Sequence, residues 1–177
     1  PSGETGTNMA ILQIEELLDD KELPFNNMLT VNVADSSFSI ASFLGRACTT
    51  ENMVTVTRSR GNRVYFHPHM PSQGQPTKGC PKCFGKRFNM KDSKTWGDAV
   101  QTIDHPFQRP SGKLVTIRME IWNNLRMSGK RGIPMHENPV QLIRTRMIND
   151  DGTPVFKRPL WLIVIGKRKD EISPIDA

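Results

Sequence analysis

Leu160-Trp161-Leu162-Ile163-Val164-Ile165 is the longest apolar run in the chain, and its continuity constrains the fold more than any other feature. A strand with one face in water alternates apolar and polar residues, whereas a strand covered on both faces reads as an unbroken hydrophobic run. This segment is therefore expected deep inside a sheet. It is far shorter than the roughly 18 residues a membrane span needs, and no secretory or arginine-rich leader opens the chain. The three cysteines, Cys48, Cys80 and Cys83, are too few and too odd in number for a disulfide framework. The expectation is a soluble, cytoplasmic protein with no membrane partner.

The rest of the chain supplies partners for that strand. Ile11, Leu12, Ile14, Leu17 and Leu18 fall at helical spacing within Met9 to Leu23, opposite Glu15, Glu16, Asp19 and Asp20, and Pro24 closes the pattern. Met28 to Val33 alternates as a short strand and stops at Ala34-Asp35-Ser36-Ser37; the apolar run 160–165 is expected to rejoin its sheet. Ser39 to Ala47 reads as a helix with Ile40, Phe43 and Leu44 buried. Beyond Glu51 the texture turns to strands. Met53 to Thr57 and Arg63 to Phe66 flank the turn residues Gly61-Asn62 as an expected hairpin, and Lys113 to Leu125 alternates as a long strand. Val140 to Ile148 and Val155 to Ile165 form a pair around Asp151-Gly152. Lys91 to Val100 has a weak helical signal with Asp92 or Ser93 as its N-cap. The fold class is α/β (α+β), an α/β sheet interrupted by a mainly β segment.

From Asn52 to Met90 there is no acidic residue, yet Arg58, Arg60, Arg63, Lys78, Lys82, Lys86 and Arg87 lie there. Its middle, Pro68 to Gly85, is rich in Pro, Gly, Ser, Gln and Thr without a hydrophobic period, which predicts an irregular basic loop. With a formal net charge of +6 over 177 residues, the fitting partner is a polyanion, foremost nucleic acid. Arg144 and Arg146, two apart on a strand, share one face and extend the row. The expected contact is with backbone phosphates, with little base readout and steep salt dependence. The bland alternative is a solvated basic face.

Val33-Ala34-Asp35-Ser36-Ser37-Phe38-Ser39 is followed by Arg58-Ser59-Arg60-Gly61-Asn62-Arg63-Val64-Tyr65. Gly85-Lys86-Arg87-Phe88, Lys91-Asp92-Ser93-Lys94-Thr95-Trp96 and Lys157-Arg158-Pro159-Leu160-Trp161-Leu162 come after them. In this order the segments resemble DDE-type transposases of bacterial insertion sequences, over about residues 28 to 177. The resemblance implies part of a ribonuclease H-like core at 9–50, a β-rich basic insertion domain at 51–154, and a core strand with a truncated C-terminal segment at 155–177. Residues 1–8, small and polar, then read as linker. It implies metal-dependent DNA strand cleavage and strand transfer, with transposon ends and target DNA as partners and a homodimer as the complete enzyme. Asp35 matches the second catalytic aspartate, a ligand for Mg²⁺ or Mn²⁺. Two such ions held by three carboxylates activate the attacking oxygen and stabilise the leaving one. From spacing alone, the same aspartate reads as a helix N-cap.

The chain departs from the family pattern at the other two carboxylates. Upstream of Asp35 stand only Glu4 and the helix-face acids Glu15, Glu16, Asp19, Asp20 and Glu22; Asp170, Glu171 and Asp176 come too early for the third. The expectation is a transposase fragment, inactive by itself.

Cys80-Pro81-Lys82-Cys83, with His67 and His69 upstream, offers four N and S ligands that suit tetrahedral zinc. The alternative is a pair of thiols in a loop. A stand-alone basic nucleic-acid-binding module, stabilised by zinc, is the second functional reading. Cys48 reads as core filler, and Trp96, Trp122 and Trp161 as core anchors.

Overall fold

The computed structural model describes residues 6–24, 27–70, 83–129 and 132–175. Lys78, Cys80 and Lys82 lie outside them. The described elements, in chain order, are α1 (Gly6–Asp19), β1 (Thr30–Ala34), α2 (Ala41–Ala47), β2 (Met53–Arg58), β3 (Val64–Phe66), β4 (Arg87–Asn89), β5 (Gln101–Gln108), β6 (Leu114–Met127), β7 (Val140–Ile148) and β8 (Leu160–Ile165). All eight strands join one mixed sheet in the order β1-β2-β8-β7-β6-β3-β4, and β5 pairs with β6. The fold is α/β in content, with β1-α2-β2 as a parallel crossover and antiparallel pairing elsewhere.

The apolar run 160–165 takes the interior place its composition demands. β8 lies between β2 and β7, and Ile163, Val164 and Ile165 are buried. Its side chains divide between two cores, as alternation along a strand requires. Trp161, Ile163 and Ile165 join Met53, Leu142 and Trp122 against Ile11 of α1 and Phe43 and Leu44 of α2. Val164 joins Val54, Val56, Met119, Ile121 and Ile143 on the opposite face. Helices therefore cover one face, and the second face carries its own apolar cluster. Cys48 fills the helix side: its thiol donates to Leu44 O at 2.9 Å, and burial pushes its pKa up to about 12.

Two expectations are corrected. β2 and β3 do not form a hairpin, although the turn exists, with the Arg63 amide donating to Arg60 O at 3.0 Å. Both edges of β2 are taken by β1 and β8, so β3 pairs instead with β4 and the end of β6. β8 does rejoin the sheet of β1 as expected, with β2 between them. Finally, Lys91 to Val100 is no helix but a single 3₁₀ turn, Ser93–Thr95, in which the Asp92 side chain accepts from the Lys94 amide at 3.2 Å.

That turn delivers Trp96 to an aromatic cluster. Phe88, Trp96, Trp122 and Trp161 all touch one another, with centroids 5.3 to 6.2 Å apart. Each well-oriented pair of this kind contributes roughly 0.5–1.5 kcal/mol beyond the area it buries. The cluster locks β4, β6 and β8 together, and all three tryptophans serve the core.

Candidate active site at the end of β1

β1 is the first strand of the sheet order, so its outer edge is unpaired among the described residues. Its inner edge is fixed to β2 in register, Ala34 beside Thr57, and Asn32 Nδ2 donates to Thr55 Oγ1 at 3.3 Å. The strand therefore ends at a defined place, and the next residue is Asp35. The chain then turns back: the Phe38 amide donates to Asp35 O at 3.3 Å and the Ser39 amide to Ser36 O at 3.4 Å.

Asp35 stands exposed at this turn. Its Oδ1 accepts from the Ser37 amide at 2.6 Å and from Ser37 Oγ at 2.5 Å, an aspartate bonding its own backbone two residues on. The Ser37 hydroxyl and amide, aided by the charge of Arg60, hold the carboxyl below its ordinary value, so it is anionic at neutral pH. The N-cap reading does not hold for α2. That helix begins at Ala41 after Ile40, without a side-chain cap, and Asp35 closes only its own turn.

Three donors from β2 and the β2–β3 connection hold the turn. Thr57 Oγ1 donates to Asp35 O at 2.5 Å and Arg60 Nε to Ser36 O at 2.9 Å, while Arg63 Nη2 donates to Ser39 O. Sequence reasoning missed Ser37, Thr57 and this use of the arginines. The Asp-x-Ser spacing carries the signal for Ser37, whereas the other contacts depend on where β2 ends. Arg60 and Arg63 also line a cleft of about 410 Å³ with Asn62, Val64, Met127 and Ser128.

The remaining basic residues are spread over the sheet. Arg58, at the end of β2, and Lys86 and Arg87, at β4, are exposed. Arg144 and Arg146 share one face of β7 as expected, but both face Glu120, at 2.7 and 3.7 Å. Arg144 is further held over the Trp96 ring at 4.7 Å, so its guanidinium belongs to the interior.

His67 Nε2 lies 3.3 Å from Thr95 O and its ring 5.8 Å from Phe88. His67 and His69 line a cavity of about 450 Å³ with Pro68, Met70, Gly85 and Lys86. Cys80 lies outside the described residues, and the Cys83 carbonyl accepts from Arg126 at 2.7 Å. Among the described residues no group of three or more His, Cys, Asp and Glu could hold a metal ion, which leaves zinc without support. An exposed, ionised carboxylate such as that of Asp35 has the chemistry to serve a hard divalent cation as one ligand of several. No described helix is long and apolar enough to cross a membrane.

Residues 7–120 match the family described as DDE superfamily endonuclease. The match spans β1, Asp35, α2, β2 and the first half of β6, and the chain belongs to that family. Comparison with curated proteins and with solved structures gives no match.

Proposed function

We propose that this chain is part of a DDE-type DNA transposase in which Asp35 is the second catalytic carboxylate and the basic surface grips DNA backbone. The observation that carries this reading is the place of Asp35: an ionised, exposed carboxylate just past the C-terminal end of a strand in a parallel crossover. In open α/β sheets, ligands bind at such strand ends. Family membership supplies the chemistry, since DDE endonucleases use divalent metals on DNA. A bound Mg²⁺ or Mn²⁺ would activate the attacking oxygen and stabilise the leaving oxygen in an in-line phosphoryl displacement.

The chain's own part is to hold one metal ligand in place and to seat the DNA. Ser37 keeps the Asp35 carboxyl ionised, and Thr57 fixes its backbone to β2. Arg58, Lys86 and Arg87, exposed and without an ion-pair partner among the described residues, are the residues proposed to contact phosphates. One carboxylate does not hold two metal ions, so cleavage requires ligands beyond those the described residues bring to Asp35. In this reading residues 51–154 are a β-rich elaboration of a ribonuclease H-like core, the working enzyme is a homodimer on transposon ends and target DNA, and it acts in the bacterial cytoplasm.

The test is Mn²⁺ titration followed by NMR. Paramagnetic broadening should appear first at the amides of residues 35–38 and disappear in Asp35→Asn. Broadening that ignores the substitution would remove Asp35 from the metal site.

A further inference from the structure

Arg60 and Arg63 were expected to face DNA, yet each spends a guanidinium N–H on a main-chain carbonyl. The two acceptors are Ser36 O and Ser39 O, in the turn that carries Asp35. We infer that Arg60 and Arg63 are positioning residues that clamp the 35–39 turn and so fix the direction in which the Asp35 carboxylate is presented. The inference rests on the proposed role of Asp35 for its functional meaning and on geometry alone for the clamp.

The turn closes on itself through the Ser37 bonds to Asp35 Oδ1 and through Ser39 Oγ, which donates to Ser36 O at 2.9 Å, while its 35–38 and 36–39 backbone bonds are long, at 3.3 and 3.4 Å. With α2 beginning without a side-chain cap, the side-chain contacts that tie the turn to the rest of the sheet come from outside. Thr57 anchors the turn where it leaves β1, Arg60 its second residue, and Arg63 the last residue before Ile40. A charged donor on a carbonyl is about twice as strong as a neutral one. Ser39 is buried and Arg63 Nε is buried without a hydrogen-bond partner, so the Arg63 guanidinium is set into the protein body around the bond to Ser39 O. Arg60 is exposed and reaches the turn from the solvent side.

The two arginines come from one short connection, with Gly61-Asn62 turning between them. The Arg63 amide donates to Arg60 O at 3.0 Å, which keeps both side chains aimed at the same four residues. The connection itself is tied down by Tyr65, whose hydroxyl lies 2.6 Å from Ser59 Oγ in the core. Rigidity therefore passes from the core through the connection to the carboxylate, as a ligand held to tight tolerance requires.

The experiment is amide exchange by NMR on this chain without metal or DNA, in Arg60→Gln, Arg63→Gln, Arg63→Lys and, as control, Arg58→Gln. Loss of one charge-assisted bond should speed exchange of the 37–40 amides about tenfold in Arg63→Gln. Arg63→Lys, which keeps one donor, should recover most of the protection, and the control should match wild type. Arg60→Gln should likewise speed exchange of the 37–40 amides while the amides of β2 and β8 keep wild-type protection. A general loss of stability would lower protection across the sheet and not at the turn alone. If Arg63→Gln unfolds the chain, the exposed Arg60 variant and Arg63→Lys decide the matter. Wild-type exchange of the 37–40 amides in Arg60→Gln would overturn the clamp. Because no metal or DNA is present, failure here leaves the Mn²⁺ result standing, and failure there leaves the clamp standing.

Discussion

Arg144 lies over the indole of Trp96, its guanidinium carbon 4.7 Å from the ring centroid, and the same group donates to Glu120 at 2.7 Å. The pair joins the end of the aromatic cluster to the cross-strand contact between β6 and β7, where Glu120 and Arg144 stand opposite each other. Burial lowers the Arg144 pKa, with Glu120 acting against the shift, and an arginine remains charged regardless. Arg144→Gln leaves Glu120 partly buried without its hydrogen-bonded cation, with Arg146 and Arg118 still near it, and it removes the cation–π contact. The expected loss is about 1–3 kcal/mol, read as a lower denaturant midpoint with an unchanged slope. Arg144→Lys should recover little, because an ammonium cannot lie flat on the indole while reaching the carboxylate. A wild-type midpoint in Arg144→Gln would show that the interaction contributes nothing.

Asp104 and Arg118 form a different kind of pair, fully on the surface. Arg118 Nε and Nη2 donate to the two carboxylate oxygens, each at 2.7 Å, across the β5–β6 register. The Arg118 bond holds the Asp104 pKa below its ordinary value. A carboxyl whose pKa is depressed by folding contributes stability above its unfolded pKa, and that contribution is lost as pH falls through the folded one. Wild type and Asp104→Asn should therefore differ at pH 7 and converge as the pH drops below the ordinary carboxylate range. The difference should also shrink with salt, since the pair is exposed. Thermal unfolding from pH 7 to pH 3 checks it; curves that stay parallel throughout would remove the ion pair as their cause.

The strands that pack on both faces were legible from sequence because burial writes itself into composition. The run 160–165 required an interior place, and the alternation of 113–125 required a strand with two different faces; β8 and β6 meet both demands. β5 was not legible. Its residues are mostly exposed, and it carries Asp104, His105 and Pro106, so no hydrophobic period marks it, and a proline is tolerated because the strand is at an edge. β4 was hidden near the end of the acid-free stretch, and of its three residues only Phe88 is buried. Asp35 was legible as a strand-terminal aspartate, but its turn was not. Whether an Asp-Ser-Ser stretch caps a helix or closes a turn depends on where the helix starts, and Ile40, not a polar cap, precedes α2. The clamp by Arg60 and Arg63 lay beyond reach, because it follows from β2 being claimed on both sides and β3 being sent elsewhere.

Arg58, Lys86 and Arg87 differ from Arg144 in having no carboxylate partner among the described residues, and all three are exposed. Such cations release counterions when they meet a phosphate, so each should contribute about one unit to the slope of log K against log salt. Arg58→Gln and Lys86→Gln should each weaken duplex binding at low salt and flatten that slope by about 0.9. The loss should be alike for unrelated sequences, since phosphate contacts do not read bases. Arg144→Gln should leave the slope unchanged, because its charge is already spent on Glu120. Fluorescence anisotropy with a labelled duplex, between roughly 50 and 200 mM salt, provides the measurement. A slope near zero for the wild-type chain would reduce the acid-free segment to a solvated face, and the grip on DNA would have to come from elsewhere.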